Sequence, residues 1–193
     1  MAKSAGTKLM THYCEAGSQE KIQKHVFSLL TKQDGVEIRP LITLCIGSDR
    51  YTGDALGPLI GSHLIEQTDT LVYGSLDYPV HAGNLVETIQ EINRKYQHPL
   101  IIAVDACLGK TNEIGNIEVW EGGLEAGIAV GNRLPSVGDI SIVGVVNASG
   151  KIGYLDLQST PLSTVIKLSR IIGSALQGAI NDLKMEPSLE NLS

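Results

Sequence analysis

The sequence has few cysteines and no long apolar run, and each shortage excludes a class of protein. The three cysteines, Cys14, Cys45 and Cys107, are odd in number and lack C-x-x-C spacing, so neither a disulfide framework nor a cysteine-based zinc site is expected. No window approaches the roughly 18 consecutive apolar residues of a membrane span, and the N-terminus lacks the apolar centre of a secretory signal. The sequence therefore predicts a cytoplasmic protein.

Positive charge is also scarce. The 193 residues include 15 lysines and arginines against 21 aspartates and glutamates, which gives a formal net charge of −6, and no basic cluster occurs. Binding to nucleic acid or to an anionic membrane surface depends on such clusters. We therefore expect a partner that is neither nucleic acid nor membrane.

Familiar catalytic motifs are missing as well. The chain contains no complete P-loop, no G-x-S-x-G elbow of serine hydrolases and no H-E-x-x-H of zinc peptidases. Gly47, Gly53 and Gly57 do not have the spacing of the dinucleotide-binding G-x-G-x-x-G motif, and Lys110 follows a different predicted strand. These absences exclude the commonest enzymes built on sheets covered by helices.

The most informative stretch is residues 41–61, LITLCIGSDRYTGDALGPLIG. It begins with an apolar, β-branched run typical of a strand buried on both faces, continues through a polar turn and ends in apolar residues at helical spacing. Pro58 fits only the first turn of that helix, because proline has no N–H to donate. This stretch is the first half of a β-α-β unit.

The rest of the chain repeats this alternation. A second strand is predicted at 70–73, a helix from Asn84, a third strand at 100–104, further strands at 117–120 and 140–146, a hairpin turn at 148–151 leading into 152–157, and a last helix after Pro161. The order predicts an α/β fold with a mainly parallel sheet, ending in a hairpin and a helix. We expect a single domain over 1–193, with a flexible segment at 1–17 and a frayed tail at 186–193.

Two carboxylates are expected to meet at the carboxyl edge of this sheet. In doubly wound sheets the first strand lies between the second and third, so the turn with Asp54 (or Asp49) and the end of the strand before Asp105 border one crevice. Repulsion between two close carboxylates raises the pKa of one of them. One can then hold a proton and act as an acid while the other is ionised and acts as a base. His81, after the second strand, could reach the same edge as a metal ligand or proton carrier.

Each of these residues also has a purely structural interpretation. Asp54 could cap the following helix, Asp49 could be a turn residue, and His81 could be an ordinary loop histidine. Asp105 is harder to explain in this way, because it directly follows an apolar strand and has no helix to cap. Cys107 is a poor candidate nucleophile, because no histidine is placed to activate it.

Four segments of the sequence resemble the YyaC family of sporulation proteins: CIGSDRYTGDALGP (45–58), PVHAGNL (79–85), VDACLG (104–109) and LPSVGD (134–139). That family looks related to the germination protease of spore-forming bacteria and, more distantly, to the hydrogenase maturation endopeptidases. The resemblance covers most of residues 40–175. It implies a three-layer αβα fold of the phosphorylase/hydrolase type, an endopeptidase role and a location in the forespore or spore interior.

The resemblance also assigns residues. The aspartate of the germination protease's Asp-Ala-Leu-Gly-Pro segment falls on Asp54, and its strand-end Asp-Ala aspartate falls on Asp105. Hydrogenase maturation enzymes bind nickel through two acids and a later histidine. Here the last histidine, His98, precedes Asp105, so a metal triad would require His81 from a different loop.

The leading hypothesis is an endopeptidase in which Asp54 and Asp105 share a proton and activate water, with Asp49, Gly53 and His81 as binding residues and without a resident metal. The backbone N–H groups of 53–56 would stabilise the oxyanion, and residues 121–139 would form a lid or a rim for the substrate. One alternative is a metal-assisted endopeptidase with a divalent cation on Asp54, Asp105 and His81. Another is a non-catalytic protein that binds a peptide or protein in the same crevice. A homodimer is expected only where an apolar helix face remains uncovered.

Overall fold

A computed structural model describes residues 8–125 and 136–185 of the chain. Its strands are β1 (Leu9–His12), β2 (Leu41–Cys45), β3 (Leu71–Tyr73), β4 (Leu100–Gly109), β5 (Asn116–Glu121), β6 (Leu124–Glu125), β7 (Ser136–Val137) and β8 (Ile140–Ala148). Its α-helices are α1 (Ser18–Leu30), α2 (Leu56–Gln67), α3 (Leu85–Lys95), α4 (Gly153–Gln158) and α5 (Leu162–Met185). Short 3₁₀ helices lie at Gly53–Ala55 and Thr111–Glu113.

Within the described residues, six strands form one sheet in the order β1-β5-β8-β4-β2-β3. Strands β3, β2, β4 and β8 are parallel to one another. At one edge of the sheet, β5 pairs antiparallel with β8, and β1 pairs antiparallel with β5. Strand β2 lies between β3 and β4, which confirms the strand order expected from the first β-α-β unit. The mainly parallel α/β sheet predicted from the sequence is therefore present.

Helices cover both faces of the sheet and make three layers. On one face, α1, α2 and α5 bury an apolar cluster with alternate residues of β4, including Ile102 and Val104. On the other face, Leu85 and Ile92 of α3 pack against Ile42 and Leu44 of β2. Because side chains of a strand alternate between its two faces, each central strand contributes to both cores.

The predicted C-terminal hairpin is wrong. Residues 153–158 form the short helix α4, and the turn before it is stabilised locally, since the Asp156 carboxylate accepts the N–H of Gly150 at 2.7 Å. Only Leu157 of this helix is buried, whereas Tyr154 and Leu155 are exposed. A short apolar run does not distinguish a strand from a helical turn, which is why the pattern misled.

Part of the N-terminal segment forms a strand that the sequence analysis did not predict. Residues 9–12, expected to be flexible, form β1, which pairs with β5 from Leu9↔Val119 to His12↔Asn116. Residues 1–7, the tail 186–193 and residues 126–135 of the predicted lid lie outside the described part. The flanks of that lid segment, β6 and β7, pair as an antiparallel ribbon. No helix of the described part is long and apolar enough to span a membrane.

Candidate functional site

The turn after β2 holds Asp54 at the carboxyl edge of the sheet. Gly47 begins this turn with a φ of +135°, a left-handed conformation that favours glycine, and its N–H donates to the carbonyl of Val80 at 2.7 Å. A Cβ on Gly47 would lie 2.0 Å from the carbonyl oxygen of Asp54, so no side chain fits there. The N–H of Ser48 donates to Oδ2 of Asp54 at 2.8 Å and fixes the carboxylate against the turn.

Asp105 lies within β4 rather than after it. Strand β2 ends beside Val104, where the Ile46 N–H donates to the Val104 carbonyl at 2.7 Å, whereas β4 continues beside β8 to Gly109. Asp105 is therefore the first residue of β4 beyond its pairing with β2. Its position in the alternation puts it on the α3 face, next to the gap that β2 leaves. Its side chain is only 9% exposed, and its Oδ1 accepts the N–H of Ala106 at 2.8 Å.

A crevice of about 810 Å³ opens at this gap. Asp54, Asp105 and His81 all line it. Its floor is formed by residues of β4, β8 and β5, and its far wall includes Leu124 and Glu125 of β6. The structure thus brings together the two carboxylates and the histidine that the sequence singled out.

Burial sets the proton affinity of both carboxylates. The pKa of Asp105 is raised to about 8, mainly by loss of hydration; the Ala106 N–H opposes this rise, and the nearby Asp54 charge adds to it. Burial also raises the pKa of Asp54. The hydrogen bond from the Ser48 N–H and the positive charge of His81, when its ring is protonated, oppose that rise. Asp105 consequently holds a proton at neutral pH, whereas Asp54 has two partners, Ser48 and His81, that favour its ionised form.

His81 is held by the loop that follows β3. Its backbone N–H donates to Oδ1 of Asn84 at 2.8 Å, and its Nδ1 accepts the N–H of Gly83 at 3.1 Å. Since Nδ1 acts as an acceptor, the neutral ring carries its proton on Nε2. His81 can therefore offer an N–H donor to a group bound in the crevice.

Two predicted binding residues are not among the residues that line the crevice. Asp49 is exposed in the turn, and Gly53 is buried in the 3₁₀ helix, where a Cβ would lie 2.7 Å from Oγ1 of Thr160. The expected oxyanion donors are also occupied in part. The N–H of Asp54 donates to the Tyr51 carbonyl at 3.0 Å and that of Ala55 to the Thr52 carbonyl at 3.3 Å, so neither is free for a ligand.

The sequence analysis missed Arg50, Glu118 and Trp120, all of which line the crevice. The alternation of β5 could have revealed the last two, because Ile117 and Val119 are the apolar members of that strand and leave Glu118 and Trp120 on the other face. What the sequence could not reveal is that this other face lies beside Asp105, since it depends on the position of β5 in the sheet.

A metal triad and a thiol nucleophile are the other two chemistries that the sequence raises for this crevice. In residues 8–125 and 136–185, no three His, Cys, Asp or Glu side chains converge well enough to hold a metal ion, although Asp54, Asp105 and His81 share the crevice. Burial, with the Glu118 and Asp105 charges, raises the pKa of Cys107 to about 12, so its thiol stays protonated at neutral pH.

Comparison with known proteins agrees with the family resemblance. The model of the family described as "Protein of unknown function (DUF1256)" matches residues 10–175. The "Uncharacterized protein YyaC" of Bacillus subtilis (strain 168) is 39% identical over 171 residues, which cover 88% of this chain and 82% of that protein. The resemblance to the YyaC family is thereby confirmed.

A solved structure shares the fold. The NiFe hydrogenase maturation protease HycI from Thermococcus kodakarensis KOD1 aligns with a TM-score of 0.54 and 18% identity, over 81% of this chain and 99% of that one. At this identity the likeness establishes the α/β fold of that protease.

Proposed function

The chain belongs to the family described as "Protein of unknown function (DUF1256)", and we propose that it is an endopeptidase working through the Asp54–Asp105 pair. The observation that carries the proposal is the buried Asp105 carboxyl, which keeps its proton near neutral pH in a crevice that it shares with Asp54. A protease-like fold supports it, since the structure of HycI has the same fold. The sporulation family that the motifs resemble leads us to place the substrate in the forespore or spore interior.

The two carboxylates would divide acid and base roles. Water would attack the peptide carbonyl carbon while the ionised Asp54 accepts one of its protons and Asp105 donates its own proton to the carbonyl oxygen. As the tetrahedral species collapses, Asp54 would pass its proton to the leaving amine and a hydroxyl of that species would return a proton to Asp105. The pair then has its starting protonation again. The Nε2–H of His81 is the group we assign to steady the substrate carbonyl, in place of the occupied turn N–H groups.

The test is digestion of a protein extract from dormant spores by the purified protein, read as new termini by mass spectrometry. We expect discrete new termini with the parent protein and with Asp49→Asn, an exposed matched control from the same turn. Asp105→Asn and Asp54→Asn should lose at least about 10³-fold in rate, because each removes one half of the proton transfer.

Other outcomes point to the alternatives. Loss of cleavage on adding a chelator would replace the carboxylate pair with a metal-assisted mechanism. Absence of new termini from every sample across a pH series, with the fold intact by circular dichroism, would overturn the endopeptidase and favour a protein that binds its peptide without cleaving it.

A further inference from the structure

The floor of the crevice continues in a straight row from Asp105 to a second carboxylate. Asp105 of β4 pairs with Val143 of β8, and Val143 pairs with Glu118 of β5. All three line the crevice. Because neighbouring strands lie about 4.8 Å apart, Glu118 lies two strands, or roughly 10 Å, from Asp105. A peptide bound at the carboxylate pair can cover this distance with a long side chain, because that side chain begins at a residue already displaced from the pair along the peptide backbone.

An aromatic ring adjoins this second carboxylate. Trp120 follows Glu118 by two residues on β5, so both side chains lie on the same face, while Ile117 and Val119 are fully buried on the opposite face. A carboxylate next to an indole ring is a favourable environment for an organic cation. The carboxylate supplies a negative charge, and the face of the ring attracts the cation because its quadrupole is negative there.

A cation of this chain already lies there. The Lys8 ammonium is 2.5 Å from Oε2 of Glu118 and 5.3 Å from the centre of the Trp120 ring. The Lys8 side chain is 49% exposed, and an ion pair of that exposure contributes little to stability. An incoming ammonium group can therefore replace Lys8 at low cost.

We infer that Glu118 and Trp120, here called the ammonium subsite, bind a lysine side chain of the peptide whose backbone lies at the Asp54–Asp105 pair. The inference rests on the proposed function in that it takes a peptide as the ligand of the crevice. Glu125 also lines the crevice, so an acidic side chain would meet like charge there, whereas the cation Arg50 belongs to the turn that holds Asp54. Lys8 is the internal occupant that such a peptide displaces.

Trp120 provides a direct assay, because it is the single tryptophan of the chain. We would titrate its fluorescence with two capped alanine pentapeptides that carry either lysine or the uncharged, similarly long norleucine at the centre. The lysine peptide is expected to bind roughly three- to tenfold more tightly than the norleucine peptide. Lys8→Ala should tighten binding of the lysine peptide a further two- to fivefold or so, because the internal competitor is gone.

Variants of β5 identify the carboxylate responsible. Glu118→Gln should abolish the preference for lysine. Glu121→Gln, which makes the same change of charge on the same strand, should keep it, because Glu121 is exposed and accepts a hydrogen bond from Gln33, three residues after the end of α1, instead. Equal affinities for the two peptides in the Lys8→Ala variant, or no change of fluorescence with either, would overturn the subsite.

Binding and cleavage fail separately in this design. Asp105→Asn should keep the lysine preference, so a protein that binds the lysine peptide but cleaves nothing retains the subsite and loses only the endopeptidase. If the parent protein cleaved the lysine and norleucine peptides at equal rates, and Glu118→Gln cleaved them at those same rates, the endopeptidase proposal would stand and the subsite proposal would fall.

Discussion

Asp105 is the residue whose surroundings differ most from those of an ordinary surface aspartate. It is almost fully buried, it accepts one recorded hydrogen bond, from the Ala106 N–H, and burial raises its pKa to about 8. A carboxyl in this state can donate a proton at neutral pH, whereas most aspartate side chains are already ionised at that pH. The same burial makes the folded state sensitive to alkali.

This sensitivity gives a prediction at the residue scale. Below about pH 4, Asp105 is protonated in both the folded and the unfolded chain. Between about pH 4 and 8 the unfolded chain releases this proton while the folded chain keeps it, so the free energy of unfolding falls as pH rises. Asp105→Asn should remove this fall and be more stable than the parent at pH 8, by roughly 2 kcal/mol or more.

Urea unfolding at pH 5 and pH 8 measures the effect. Asp49→Asn is the matched control, because Asp49 is exposed and lies outside the crevice, so its two free energies should follow those of the parent. A fall between pH 5 and pH 8 that is the same in Asp105→Asn as in the parent would mean that Asp105 is ionised in the folded protein.

The unit formed by β2, its turn and α2 is the element that positions Asp54. The start of α2 approaches β2 so closely that a Cβ on Gly57 would lie 2.1 Å from the Ile46 carbonyl oxygen. Only glycine allows a helix and a strand backbone to come this close. Gly57 therefore helps to position Asp54, because it lets the helix start, and the turn before it, lie against the end of the strand.

At the element scale, Gly57→Ala is expected to lower the free energy of unfolding by about 2 kcal/mol or more and to displace Asp54, because the clash is with backbone that cannot rotate away. Cleavage should fall together with stability. Gly178→Ala in α5 is the control, since its Cβ would meet only the end of the flexible Gln23 side chain, which can turn away at the loss of its hydrogen bond to Asp182, and alanine favours a helix. Thermal unfolding of both variants gives the comparison, and equal midpoints would contradict the close approach.

Across the whole molecule, stability and chemistry lie in different regions. Helix α5 buries Leu168, Ile172 and Leu176 against the sheet face that carries α1 and α2, whereas the crevice opens on the α3 face. The sheet separates Leu168, Ile172 and Leu176 from Asp105, which lies on the α3 face. A defect in that core should therefore weaken folding without changing the site.

Leu176→Ala tests this separation. We expect it to lower the free energy of unfolding by about 2–5 kcal/mol, because it leaves a cavity in a fully buried cluster, while the activity per folded molecule stays the same. Leu162→Ala, at a side chain that is 59% exposed on the same helix, should change stability by less than about 0.5 kcal/mol. Urea unfolding and cleavage are measured under identical conditions. A loss of specific activity in Leu176→Ala would show that core and site are coupled.

Local patterns in the sequence were enough to predict much of this protein. The apolar runs of β2, β4 and β8 and the periodicity of α5 identified a mainly parallel α/β sheet, because burial on two faces leaves a continuous apolar run and burial of one helix face leaves a stripe. The order of the first three strands followed from the strand order of doubly wound sheets, in which the first strand lies between the second and third. Together they identified Asp54 and Asp105 as neighbours of one crevice.

The tertiary structure alone decided what depends on contacts between distant segments. Strand β4 continues past Asp105 because β8 pairs with it where β2 has ended, and residues 9–12 become a strand because the edge of β5 is available to them. Glu118 lies in the row of Asp105 only through two pairings across β8. Strand order and register are set by the packing of the whole sheet, so a window of sequence carries no record of them. For the same reason the pattern alone could not choose Asp54 over Asp49.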